Sequence, residues 1–151
     1  MKKVLYFLVL AMTMVTFIAC SNDDDDKESV SVPTMTELES NSASYIQYVR
    51  KGIEAYLYFY NSKLYYMVSA GVPTPPFIYD CQISNGKLHL SRTLNNGNKE
   101  QMTFETVIKT KGSAKTLVLQ YEQGTSPDNQ ILYDGNYEYS QESLRHVFFL
   151  H

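Results

Sequence analysis

The chain has 151 residues, 13 basic against 16 acidic, and a formal net charge of −3. That balance excludes the basic surface a nucleic-acid binder needs. The length suits one domain after a leader, large enough to bury a core without disulfide staples. There are 13 tyrosines and no tryptophan. Tyrosine has a large apolar body and a polar tip, which suits strands covered on both faces and also suits ligand contact.

The chain opens with Met1-Lys2-Lys3, then a stretch from Val4 to Ala19 whose polar breaks are Thr13 and Thr16. This length fits a secretory apolar region and is short for a spanning helix of about 20 residues. Cys20 follows Phe17-Ile18-Ala19 directly. The junction resembles a bacterial lipobox, which implies cleavage before Cys20, a diacylglyceryl thioether on its sulfur and an acylated amine. Each buried methylene contributes about 0.8 kcal/mol, so several chains hold far better than one.

Asp23, Asp24, Asp25 and Asp26 come next. Adjacent carboxylates repel, so the segment is expected to be extended and solvated. It lacks the spaced ligands and glycine of a calcium loop. The run resembles the acidic export signal behind the cysteine of surface lipoproteins in Bacteroidota; the plainer alternative is a spacer. The expected organisation is a signal peptide over 1–19, a lipidated cysteine and acidic tether over 20–33, and a β domain over 34–151. The expected address is the outer membrane, lipid-anchored and exposed at the cell surface. Setting aside Lys2, Lys3, Lys27, Asp23 to Asp26 and Glu28 leaves 10 basic against 11 acidic residues, so the domain carries no strong field of either sign.

Between 34 and 50 two readings stand. Thr36-x-x-Glu39 is a capping box for a short helix over 37–49; Ser44 to Arg50 also alternates loosely, as a strand does. From residue 55 the pattern is strand and turn. Ala55 to Tyr60, Asn61-Ser62 and Lys63 to Val68 read as a hairpin in which Tyr58 faces Tyr65 and Leu57 faces Tyr66. Three prolines among residues 73–76 rule out a central strand there. Phe77 to Ser84, Asn85-Gly86 and Lys87 to Leu94 form a second hairpin. Its register puts Phe77, Tyr79, Cys81, Ile83, Leu88 and Leu90 on one apolar face, with Ile78 as the exception opposite. Cys81 therefore reads as a core residue. Met102 to Lys109 alternates, a basic loop spans Lys111 to Lys115, and a strand runs through Leu117, Leu119 and Tyr121. Gly124 to Asn129 reads as a loop, 131–139 as a short hairpin around Asp134-Gly135, and Arg145 to Leu150 as a last strand.

The fold class expected is all-β, an antiparallel up-and-down meander of about eight strands closing into a barrel, with a β-sandwich as the alternative. Asn85-Gly86-Lys87-Leu88-His89-Leu90, Met102-Thr103-Phe104-Glu105 and Lys115 to Tyr121 resemble the lipocalin-like domains of Bacteroidota lipoproteins over roughly 50–125. The Gly-x-Trp motif of true lipocalins is missing. The resemblance implies a lipocalin-like barrel with a binding role and carries over no catalytic residues.

No metal-ligand spacing involves His89, His146 or His151, and there is no nucleophile elbow, phosphate loop or dinucleotide fingerprint. Glu105 and Glu122 are the one candidate carboxylate pair, and they are expected instead on the solvent face of adjacent strands, near Lys109 or Lys115. The chain is thus expected to be no enzyme and to need no cofactor or metal. Two functions follow. In one, the domain binds a glycan or a hydrophobic small molecule, with Tyr56, Tyr58, Tyr60, Tyr65 and Tyr66 as contact candidates. In the other, it is an interaction or structural subunit beside an outer-membrane protein complex.

Overall fold

Asn61 and Ser62 both adopt positive φ, 51° and 56°, as do Asn85 and Gly86, 52° and 74°. Two-residue type I′ turns need this at both central positions, because only that twist matches the strands they join. The computed structural model describes residues 27–40, 44–72, 74–125 and 132–140. The first of these turns joins β3 (Ile53–Tyr60) to β4 (Lys63–Ser69); the second joins β5 (Phe77–Ser84) to β6 (Lys87–Thr93). Their registers are those the alternation predicts: Tyr58 opposite Tyr65, Leu57 opposite Tyr66, Cys81 opposite Leu90 and Ile83 opposite Leu88.

The wall continues through β7 (Lys99–Lys111), β8 (Ala114–Thr125) and β9 (Gly135–Ser140), with β2 (Ser44–Arg50) before β3. Every pairing is antiparallel, and β9 pairs with both β8 and β2. Strands β2 to β9 therefore close into an eight-stranded up-and-down barrel, a form consistent with a lipocalin-like domain and not a sandwich. Closure removes the exposed edges an open meander would present. A ninth strand, β1 (Ser29–Ser31), adds onto β7 below β6. Lys109, in that stretch of β7, holds Glu28 at 3.3 Å.

Eight strands enclose a space that side chains alone can fill. Leu57, Phe59, Leu64, Tyr79, Leu88 and Phe104 are each at most 1% exposed and belong to one core cluster. A single helical turn, α1 (Met35–Glu39), packs across one end. Leu38 enters the core, Met35 lies against it, and Glu39 Oε1 accepts from the Ser62 backbone N–H at 2.6 Å. Towards the other end a charge is turned inward. Arg92 and Glu100 face each other across β6 and β7 and form an ion pair. The guanidinium lies 4.7 Å and 4.9 Å from the ring centroids of Phe77 and Tyr79.

Several expectations need correction. The 34–50 segment is both things in turn, a short helix and then strand β2. The cap is Thr34, not Thr36: its Oγ1 accepts from Glu37 N–H at 3.2 Å, and its backbone is extended, with a φ of −100°. The basic loop at Lys111 to Lys115 is only a two-residue turn, since the β7–β8 ladder runs to Lys111 opposite Ala114. Gly124 is not in a loop. It pairs with Met102 one residue before the end of β8, where a Cβ would overlap Gln101 O and lie 2.9 Å from Met102 Cα. Of the expected 131–139 hairpin, the described residues form β9 alone. Residues 132–134 are tied by side chains instead: Tyr137 Oη donates to Tyr133 O at 2.5 Å and Gln47 Nε2 to Asp134 O at 2.8 Å. The expected strand at 145–150 lies outside the described residues, as do Cys20 and Asp23 to Asp26.

Candidate functional site

Period-two alternation divides the tyrosines of the first hairpin between the two sides of the wall. Tyr66 points inward; it is 4% exposed and its Oη accepts from Tyr133 N–H at 3.4 Å. Tyr56, Tyr58, Tyr60 and Tyr65 share the outer face. Tyr58 stacks on Tyr60 with centroids 6.3 Å apart and meets Tyr65 at 6.0 Å. Tyr58 and Met67 are nevertheless buried, at 1% and 3%, and Tyr60 is the most open ring of the group at 43%. Tyr56 donates to Glu54, and burial followed by that bond pushes its phenol up to about 12. Four of the five candidate tyrosines are thus together on one outer face. The fifth belongs to the core.

A second outer feature lies two strands away and escaped the sequence reading. Strand β4 begins at Lys63, opposite Asp80, whereas β5 runs on to Ser84. That step leaves a depression of about 430 Å³ on the outer wall of β5, β6 and β7, walled by Ser62 and lined by Gln82, His89, Ser91, Gln101 and Thr103. Cys81, Leu90 and Met102, whose side chains belong to the core, form its floor. A neighbouring hollow of about 300 Å³ shares Gln101 and Thr103 and continues to Gln123 and Thr125 on β8.

The register shows why these polar groups align. Asp80, Ser91, Gln101 and Thr125 are successive cross-strand partners, and so are Gln82, His89, Thr103 and Gln123. The pairing shifts between Thr103 and Phe104, whose partners are Gln123 and Tyr121. Glu122 is the extra, bulged residue, so Glu122 and Gln123 both reach the outer face. The titratable groups of this wall are tied to neighbours. Asp80 holds Lys63 at 2.7 Å, and this hydrogen bond raises the lysine pKa. Glu122 holds Lys87, and His89 Nδ1 lies 3.2 Å from Thr103 Oγ1. Glu105 is exposed opposite Lys87, so the two glutamates flank one lysine and not Lys109 or Lys115.

Cys81 is free and 7% exposed, with Met35 Sδ 4.0 Å from its sulfur. Burial, then the charges of Glu39 and Asp80, push its thiol up to about 12. Among the described residues no group of three or more histidine, cysteine or carboxylate side chains is placed to hold a metal. Among them, too, no helix is long and apolar enough to cross a membrane. No family model matches the chain, and no curated protein or solved structure matches it significantly.

Proposed function

We propose that the chain is a lipid-anchored, cell-surface lipoprotein whose barrel is a non-catalytic binding module acting through its outer wall. The observation that carries this reading is the contrast between the two sides of the wall. The interior is filled by its own leucines, tyrosines and phenylalanines, so the cup in which a lipocalin-like barrel would hold a lipophilic compound is taken up by side chains. The outer wall carries both an aromatic cluster and an open depression lined by polar side chains over an apolar floor. Its His89 and Asp80, and Glu122 nearby, are already engaged with neighbouring residues, which favours recognition over acid–base chemistry.

The anchor rests on the lipobox-like junction at Cys20 and the acidic run behind it. Two experiments test the two halves. Metabolic labelling with a fatty-acid analogue is expected to tag the wild-type chain and not Cys20→Ser, and protease added to intact cells is expected to remove the barrel. Thermal melting of the full chain in detergent against a glycan panel and a lipophilic panel is expected to show a saturable rise with glycans, because a ligand that binds only the native state stabilises it by mass action. A rise with the lipophilic panel alone would reject the outer-wall reading.

A further inference from the structure

The polar depression and its neighbour form one continuous band. It begins at the Lys63–Asp80 pair, crosses β5, β6 and β7, and ends on β8 at Gln123 and Thr125. From the chemistry of this band we infer that it is the seat of an extended, uncharged polysaccharide chain lying across the strands. This inference rests on the binding-module reading above and names both its site and its ligand class.

Three properties of the band point to that class. The first is its functional groups. Gln82, Gln101 and Gln123 are exposed amides, each with two donors and an acceptor, and Ser91, Thr103 and Thr125 add hydroxyls that donate and accept. A ligand dense in hydroxyls needs donors and acceptors in equal measure along its length; a lipophilic ligand would leave these groups unpaired. The second is charge. Asp80 is paired with Lys63, while at the β8 end Glu122 and Glu105 share Lys87, so neither end leaves its lysine uncompensated. An anionic polymer meets no uncompensated cation at either end. The third is spacing. Neighbouring strands lie about 4.8 Å apart, an interval close to the length of one pyranose unit. A sugar chain laid across the strands therefore meets a fresh amide or hydroxyl at each step, and the register keeps those groups in two parallel rows.

Each contact is exposed to water and weak alone. Affinity is expected to accumulate with chain length, so monosaccharides bind negligibly and longer oligosaccharides progressively better. The band abuts the aromatic cluster at Lys63, the cross-strand partner of Tyr60, but its amides lie on β5, β7 and β8 and the rings on β3 and β4, which allows the two to be told apart by substitution.

The test is affinity electrophoresis of the full chain in detergent through gels holding soluble neutral polysaccharides: a β-glucan, a xylan and a mannan. Titration calorimetry with oligosaccharides of increasing length then follows for whichever retards it. The triple variant Gln82→Ala, Gln101→Ala, Gln123→Ala removes exposed side chains only, and its melting curve reports that it folds. At least one polysaccharide is expected to retard the wild type, with affinity rising with length and falling at least tenfold in the triple variant. Tyr48→Ala, on β2 across the barrel, is expected to bind as wild type. Full binding by the folded triple variant, with loss in Tyr60→Ala or Tyr65→Ala, would overturn the site while leaving the binding-module reading intact. Retardation by none of the three, alongside a melting shift from a charged glycan, would overturn the ligand class. No response to any glycan, neutral or charged, would overturn both readings and turn attention to a protein partner.

Discussion

Replacing Glu100 by alanine strands a cation inside the barrel. The Glu100 side chain is 1% exposed and that of Arg92 15%. The guanidinium keeps the faces of Phe77 and Tyr79 at 4.7 Å and 4.9 Å but loses its anion. Removing one member of a buried pair destabilises by about 3–5 kcal/mol, because the surviving charge is left uncompensated. Arg92 retains a little contact with water, and a cation–π contact offsets roughly 1 kcal/mol, so the lower end, about 3 kcal/mol, is expected. For a domain of this size that is a fall in melting temperature of about 12 °C. The double variant Arg92→Met, Glu100→Leu removes both charges while keeping apolar volume, and is expected to return to within about 1 kcal/mol of wild type. Urea denaturation followed by near-ultraviolet circular dichroism measures all three proteins. A single variant within 1 kcal/mol of wild type would mean that the pair is effectively solvated. A double variant as unstable as the single would place the loss in packing and refute the charge argument.

Ser62 holds a φ of 56° without being glycine; Ser62→Gly keeps the backbone bond to Glu39 and is expected to stabilise by about 0.5 kcal/mol net of the added chain entropy, read from the urea midpoint. Gly124→Ala forces a Cβ against Gln101 and Met102, and is expected to cost about 1–3 kcal/mol and to speed amide exchange at the β7–β8 hairpin end. In a Cys20→Ser chain, Cys81 is expected to resist Ellman's reagent at pH 8 until the protein unfolds, since the thiolate is the reactive form and burial holds its pKa near 12; rapid native labelling would contradict its place in the core. Burial raises Tyr45 and Tyr56 to about 12 and lifts Tyr66, Tyr79 and Tyr137 in the same direction. Groups raised in the folded state stabilise it fully below their unfolded pKa of about 10, and that contribution is lost as pH rises through the folded values. Ultraviolet titration should therefore show the buried phenols ionising together with unfolding above about pH 10, and independent ionisation of all the tyrosines near pH 10 would contradict it.

Local chemistry and periodicity determined most of the wall. Asn61-Ser62 and Asn85-Gly86 name their own turn type, and once a turn is placed, the two-residue period assigns every side chain on both strands to a face. That is why the Tyr58–Tyr65 and Cys81–Leu90 pairings were legible from residues alone. The same rule separates Tyr66 from the other four tyrosines, since Leu57, its partner, alternates to the inner side. Short local signals were weaker guides: Thr36-x-x-Glu39 reads as a capping box, but the residue that caps the helix is Thr34, whose backbone is extended.

Contacts distant in sequence decided the rest. Barrel and sandwich share the same strands, and the pairing of β9 with β2, some ninety residues apart, is what closes the ring. Gly124 looks like a loop residue until β7 lies within a Cβ of it. Arg92 and Glu100 lie on either side of a turn, and only the register of β6 against β7 sets them opposite each other as a buried pair. The polar band was invisible for the same reason. Gln82, His89, Thr103 and Gln123 are unremarkable residues on four strands, and only the ladder, with a bulge at Glu122, sets them in a row. Sequence encodes which face a side chain takes along its own strand, because that depends on nearest neighbours. Which side chains meet across the wall depends on register and closure, and those exist only in the folded chain.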